Sequence, residues 1–169
     1  FEPDTYIKER QYMLPHFNSI NVIGEELYIA GEAGFLANSD VNGADWQVIE
    51  TDYFGSYFSI VKVEDSLLLA GLRGNLFKSE DDGESWRLLN TGVKATINSA
   101  FKDSQVTYFF ANSGNVFYTL DNEVINNYVL DDGKAVMAGV VLNNFVYLAT
   151  EAGIKKVPTS EFTSNKARD

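Results

Sequence analysis

Four glycines, Gly34, Gly74, Gly114 and Gly153, recur at intervals of 40, 40 and 39 residues. Each sits at the same place in a similar stretch: IAGEAGFLANSD, LAGLRGNLFKSE, FFANSGNVFYTL and YLATEAGIKKVP. A period this regular commits the chain to a repeat architecture, because each unit must bury its apolar face on its neighbours. The second unit shows the common grammar. A β-rich run, Phe58 to Val63, is followed by the polar turn Glu64-Asp65-Ser66, a second run from Leu67 to Ala70, and the glycine turn Gly71-Leu72-Arg73-Gly74. A third run, Leu76 to Lys78, a polar loop and a fourth run, Trp86 to Leu89, complete it. Short β-branched, aromatic and leucine-rich runs bounded by Gly, Asp, Asn and Ser read as strands, and no stretch sustains a helical period. Four antiparallel strands per roughly 40 residues is the blade of a β-propeller. The expected fold is therefore an all-β propeller of about four blades, either part of a ring or a small closed one. The blades fall at about 16–51, 56–92, 96–131 and 135–159, with an N-terminal segment 1–15 and a polar tail 160–169.

Charge narrows the partners. Thirteen Lys+Arg against 24 Asp+Glu give a net charge of -11 over 169 residues, so nucleic acid and anionic membrane surfaces are disfavoured. No apolar stretch reaches the roughly 18 residues of a membrane-spanning helix. Phe1-Glu2-Pro3-Asp4 lacks the basic-then-apolar pattern of a signal peptide, and the chain has no cysteine.

The densest knot of carboxylates lies in GNLFKSEDDGESWRLLN. Within it, Ser79-x-Asp81-x-Gly83-x-Ser85-Trp86 matches the Asp-box, the bacterial neuraminidase repeat. Its chemistry is local: a short acidic side chain accepts backbone N–H bonds inside a loop, the glycine supplies an unusual φ, and the tryptophan packs the next strand. Asp81 and Asp82 are thus expected to hold a turn, since the spacing is not that of a calcium loop. A decayed copy, Ser39-Asp40-Val41-Asn42-Gly43-Ala44-Asp45-Trp46, has valine at the acidic position, and the third unit keeps only Thr119 and Asp121. Asp131-Asp132-Gly133 reads as a solvated turn. No metal site, cofactor or catalytic residue is expected.

A binding site would lie on the opposite rim, where the turns between second and third strands meet the loops leading into the innermost strands. That rim collects His16, Asn18, Glu32, Tyr53, Tyr57, Arg73, Asn112 and Glu151, with Lys94 and Lys134 nearby. Arg73 carries the sharpest chemistry, because a guanidinium binds a carboxylate bidentately; the alternative is a salt bridge to Glu32 or another acid. Tyr53, Phe54, Tyr57 and Phe58 offer a stacking surface, unless strand alternation buries some of them.

His16-x-Asn18-x-Ile20, Gly31-Glu32-Ala33-Gly34, Gly55-Ser56-x-Phe58 and Gly71-Leu72-Arg73-Gly74, followed by the Asp-box, resemble the C-terminal half of the bacterial photosystem II stability/assembly factor-like proteins. The resemblance covers about residues 16 to 157. It implies a propeller of seven blades, within the usual range of about four to eight, an exported or periplasmic location, and a non-catalytic role. It also implies a protein partner such as a membrane complex or exporter. Here the fourth unit lacks an Asp-box and its tail TSEFTSNKARD is too polar for a good strand. Tyr6 to Leu14 could supply that strand if four blades close; otherwise a second copy or a missing N-terminal half completes the ring. The competing function is a sialidase-like glycoside hydrolase, which needs an arginine cluster, a tyrosine nucleophile and an acid/base carboxylate. Arg10, Arg73, Arg87 and Arg168 do not form such a cluster by position.

Overall fold

A computed structural model describes residues 15–163 of the chain. Fifteen strands form four antiparallel sheets in strict chain order. The first blade comprises β1 (Phe17–Ile23), β2 (Glu26–Gly31), β3 (Leu36–Asp40) and β4 (Gln47–Val48), and the second β5 (Tyr57–Val63), β6 (Ser66–Gly71), β7 (Leu76–Ser79) and β8 (Arg87–Leu89). The third comprises β9 (Ile97–Lys102), β10 (Thr107–Ala111), β11 (Asn115–Thr119) and β12 (Asn126–Val129). Among the described residues the fourth comprises β13 (Val136–Leu142), β14 (Phe145–Thr150) and β15 (Gly153–Pro158). The first strands of consecutive blades pack on one another, β1 on β5, β5 on β9 and β9 on β13. The chain is an all-β propeller of about four blades. Among the described residues β13 makes no such packing back onto β1, so the blades form an arc. Tyr6 to Leu14, the candidates for a closing strand, lie outside the described residues.

Burial follows position in the arc. In the second and third blades the middle strands lose the alternation of a half-buried strand: Leu67, Leu68, Leu69 and Ala70 are all fully buried, as are Tyr108, Phe109, Phe110 and Ala111. Both faces of these sheets are covered, so both sets of side chains must be apolar. One core lies at each junction. Ile23, Tyr28, Ala30 and Leu36 meet Tyr57, Ile60, Leu67 and Leu69 between the first and second blades. Val63, Leu68, Ala70 and Leu76 meet Ile97, Phe109, Ala111 and Phe117 at the next junction. Tyr108, Phe110, Val116 and Tyr118 meet Val146, Leu148 and Val157 at the last. Each such fully buried apolar side chain contributes roughly 1.5–3 kcal/mol, so the junctions dominate stability.

Among the described residues the segment after β15 forms a short turn and no strand. Thr159–Phe162 forms a 3-10 turn, and Phe162 is fully buried against the rings of Tyr108, Tyr118 and Tyr128, with centroids 5.2, 5.3 and 5.1 Å away. One aromatic residue in a polar stretch suffices to anchor it on the third blade.

Candidate functional site

The two ends of each blade are built differently. At the β7–β8 end, Asp81 is the hub of the turn. Its Oδ1 accepts from Ser79 Oγ at 2.7 Å and from the Ser85 amide at 2.9 Å, and its Oδ2 accepts from Ser85 Oγ at 2.5 Å. Ser79 Oγ in turn accepts from the Gly83 amide at 2.9 Å, and Trp86 Nε1 donates to the Gly83 carbonyl at 3.1 Å. These bonds, led by that from the Ser85 hydroxyl, hold the Asp81 carboxyl below the ordinary aspartate value. The third blade keeps half of the device, with Asp121 Oδ1 accepting from the amides of Glu123 and Val124 at 3.0 and 2.9 Å. In the first blade Trp46 Nε1 still donates to the Gly43 carbonyl at 3.0 Å, yet the buried Ser39 hydroxyl has no partner because Val41 offers no carboxylate. Among the described residues no group of three His, Cys, Asp or Glu is placed to hold a metal.

The same end carries an ionic clasp between blades. Lys78, 5% exposed on β7, reaches Glu80 at 2.6 Å and Glu123 at 2.5 Å, while Arg87 from β8 holds Glu123 at 2.6 Å. Burial alone would lower the Lys78 pKa, but the bonds to Glu123 and Glu80 outweigh it and the pKa rises. Glu123 is held below its ordinary value, by Lys78 first and then Arg87.

At the opposite end, the turns between second and third strands repeat one backbone conformation. Ala33 and Gly34, Arg73 and Gly74, and Ser113 and Gly114 all have φ between 53° and 73°. The conformation belongs to the turn and not to any one side chain. A Cβ on Gly74 would stand 2.1 Å from the Val93 carbonyl oxygen, so glycine is required there. Each turn is tied to the residue leading into its inner strand: the amides of Glu32, Leu72, Asn112 and Glu151 donate to the carbonyls of His16, Ser56, Thr96 and Ala135 at 3.0, 3.1, 2.9 and 3.1 Å.

This geometry sorts the sequence-derived rim residues. Arg73 is exposed and makes no ion pair among the described residues; Glu32 instead lies 2.9 Å from the exposed His16 Nδ1. Glu151 is exposed and caps the Ala135 amide at 3.3 Å. Four others serve the scaffold. Tyr57 is 1% exposed and its hydroxyl donates to Thr51 Oγ1 at 2.8 Å; the bulge after it places its ring in the core between the first and second blades, away from any stacking surface. Tyr53 is half-buried, tilted against Tyr57 and Phe77, and accepts from Asn75 Nδ2 at 3.0 Å. Asn18 donates to the Tyr57 carbonyl at 2.8 Å, and Asn112 Oδ1 accepts from Asn98 at 2.9 Å.

Asn18 and Asn98 reveal a device that the sequence reading missed. Each first strand has a β-bulge near its start, at Asn18, Phe58, Asn98 and Met137, where one extra residue is re-aimed. Asn98 Nδ2 donates to the Val136 carbonyl at 2.9 Å and Ser99 Oγ to the Met137 carbonyl at 2.7 Å, while Ser59 Oγ accepts from the Ala100 amide at 3.1 Å. The bulges thus stitch inner strands across blades. The signal was present as Asn-Ser at 18–19 and again at 98–99.

A groove of about 950 Å³ lies beside the rim, lined by Asp52, Tyr53, Phe54, Phe77, Trp86 and Leu88 among others. In its wall Phe77 of β7 is half-buried and Leu88 of β8 is exposed.

No family model and no curated protein matches the chain. Solved structures match it as a fold, and they are β-propellers. The extracellular domain of the one-component system BT4673 from B. thetaiotaomicron aligns at TM-score 0.70 and 13% identity over 86% of this chain and 21% of that one. YCF48 bound to D1 peptide aligns at 0.66 and 15%, over 86% and 52% of the two chains, and BamB from Moraxella catarrhalis at 0.62 and 16%, over 82% and 41%. The chain spans about half or less of each of these proteins. No helix among the described residues is long and apolar enough to cross a membrane. What this chain shares with these proteins is the propeller fold.

Proposed function

We propose that this chain is a non-catalytic binding module that holds a carboxylate-bearing protein segment on the rim around Arg73. In this role it serves the assembly or operation of a membrane-associated complex on the periplasmic side. The observation that carries the reading is Arg73 itself. An exposed guanidinium in a chain of net charge -11 has no acid paired with it among the described residues, while Glu32 is turned to His16. A guanidinium fork matches a carboxylate geometrically and gains more from two parallel bonds than a lysine would. The fold likeness to YCF48 bound to D1 peptide supports a peptide as the ligand class. The acidic turn contributes nothing to this chemistry, since the carboxylate of Asp81 is filled by its own loop. A glycosidase reading is weaker because Arg87, one of the arginines it needs, is spent on Glu123.

Fluorescence anisotropy with labelled extended peptides ending in a free carboxylate tests the proposal. Binding is expected to weaken at least tenfold in Arg73→Glu and to fall with salt, with the melting temperature unchanged. Binding that is indifferent to Arg73→Glu, or absent for every such peptide, contradicts it.

A further inference from the structure

The outer hairpin of the second blade sends its side chains into two different environments. Leu76, Lys78, Arg87 and Leu89 alternate toward the third blade, where the leucines enter the junction core and the two cations clasp Glu123. Phe77 and Leu88, directly paired between β7 and β8, leave by the other face, and Trp86 lies two residues before Leu88 on the same side. That face looks toward the first blade, and it is not filled. Phe77 is half-buried and Leu88 is 58% exposed, whereas Phe117, at the position of Phe77 one repeat later, is fully buried. The groove of about 950 Å³ lies over this face, and the loop joining β4 to β5 contributes Asp52, Tyr53 and Phe54 to it. Both of its walls belong to blades that are consecutive in the chain.

The aromatic floor of the groove is set before any ligand arrives. The Tyr53 ring is tilted against Phe77 with centroids 5.3 Å apart, and its hydroxyl accepts from Asn75 at 3.0 Å. The Trp86 indole N–H is held by the Gly83 carbonyl. Rings fixed in this way lose little freedom when a partner lands on them. The charge around them has one sign: Glu50, Asp52 and Glu84 line the groove, and among the described residues no lysine or arginine does. Asp52 and Glu84 enter no ion pair among the described residues, and the Glu84 carboxylate takes no part in the turn around Asp81. The cations nearest in sequence, Lys78 and Arg87, are committed to Glu80 and Glu123 on the opposite face.

We propose that this groove docks an extended segment of a partner protein that carries an arginine beside an aliphatic residue. Aromatic faces and carboxylates recognise a guanidinium in two complementary ways, since its plane stacks on a ring while its N–H groups donate to an acid. Tyr53 and Trp86 supply the rings, and Asp52 and Glu84 supply the acids. The volume has room for several side chains. Phe54, 73% exposed, and Leu88 give the aliphatic neighbour an apolar contact. Arg73 is not among the lining residues, and the charge sought here is the opposite of the one it takes. The two sites therefore stand or fall separately.

The probe is a peptide with the core Leu-Arg-Leu, capped at both ends so that it offers no carboxylate to Arg73. The chain has two tryptophans, Trp46 and Trp86, which report separately through their indole N–H resonances. Titration is expected to move the Trp86 resonance and to leave that of Trp46, which does not line the groove, in place. Replacing the arginine by citrulline, which keeps the shape and removes the charge, should weaken binding about tenfold or more. Asp52→Asn combined with Glu84→Gln should do the same with the melting temperature unchanged, both positions being exposed. Arg73→Glu should not weaken it. A Trp86 resonance that stays in place overturns the proposal, as does binding that survives the double variant. Equal binding of the citrulline peptide would make this an apolar groove only, and equal binding of capped arginine alone would make it a small-cation site; either result also overturns it.

Discussion

The two ends of the second blade use charge in opposite ways. At the Ser79–Trp86 end every oxygen of Asp81 is filled by its own loop, and the neighbouring Lys78, Arg87 and Glu123 fill one another. At the Arg73 end the turn is held by backbone bonds and a glycine, and the guanidinium stays outside that network. A cluster of carboxylates in sequence is thus the poorer guide to function here. Charge that is satisfied locally stabilises a turn, whereas charge that the turn does not need is available to a ligand.

Six variants and one titration break or sharpen this contrast. Trp86→Ala should cost the most, about 3 kcal/mol by chemical denaturation, because it removes an indole from the first junction core together with its bond to Gly83. Gly74→Ala should cost about 2 kcal/mol, since it forces a Cβ toward the Val93 carbonyl at a left-handed φ. An acid melt comes next. Asp81 and Glu123 have folded pKa values below their ordinary ones, so their contribution is full above the unfolded carboxylate values and is lost as pH falls through the folded ones. The melting temperature should therefore hold level above about pH 5 and decline from about pH 4 downward, and Asp81→Asn should flatten part of that decline.

The first blade offers the converse experiment. Val41→Asp combined with Asp45→Ser restores the turn around the partnerless Ser39 hydroxyl and should stabilise by about 1 kcal/mol. Val41→Asp alone should gain little, because Asp45 stands where Ser85 donates in the second blade. Smallest of all, Arg73→Glu should shift stability by less than about 0.5 kcal/mol; a larger loss would make Arg73 part of the scaffold.

The period of the glycines carried the fold, because tight turns demand a residue type that survives in sequence as a visible mark. Asp81 was legible for the same reason: its partners lie within four residues of it. Tyr57, Asn18 and Asn98 were not, since their partners sit on a neighbouring blade and a bulge breaks the alternation that would have aimed them. Phe162 was hidden by the polarity of its neighbours.

The most direct measurement is amide chemical-shift mapping during titration with a carboxylate-terminated peptide. Shifts should concentrate at Glu32 to Gly34, at Arg73 and Gly74 and at Glu151, with Ser79 to Trp86 silent. Perturbation centred on Ser79 to Trp86, with the Arg73 turn unmoved, would contradict the account.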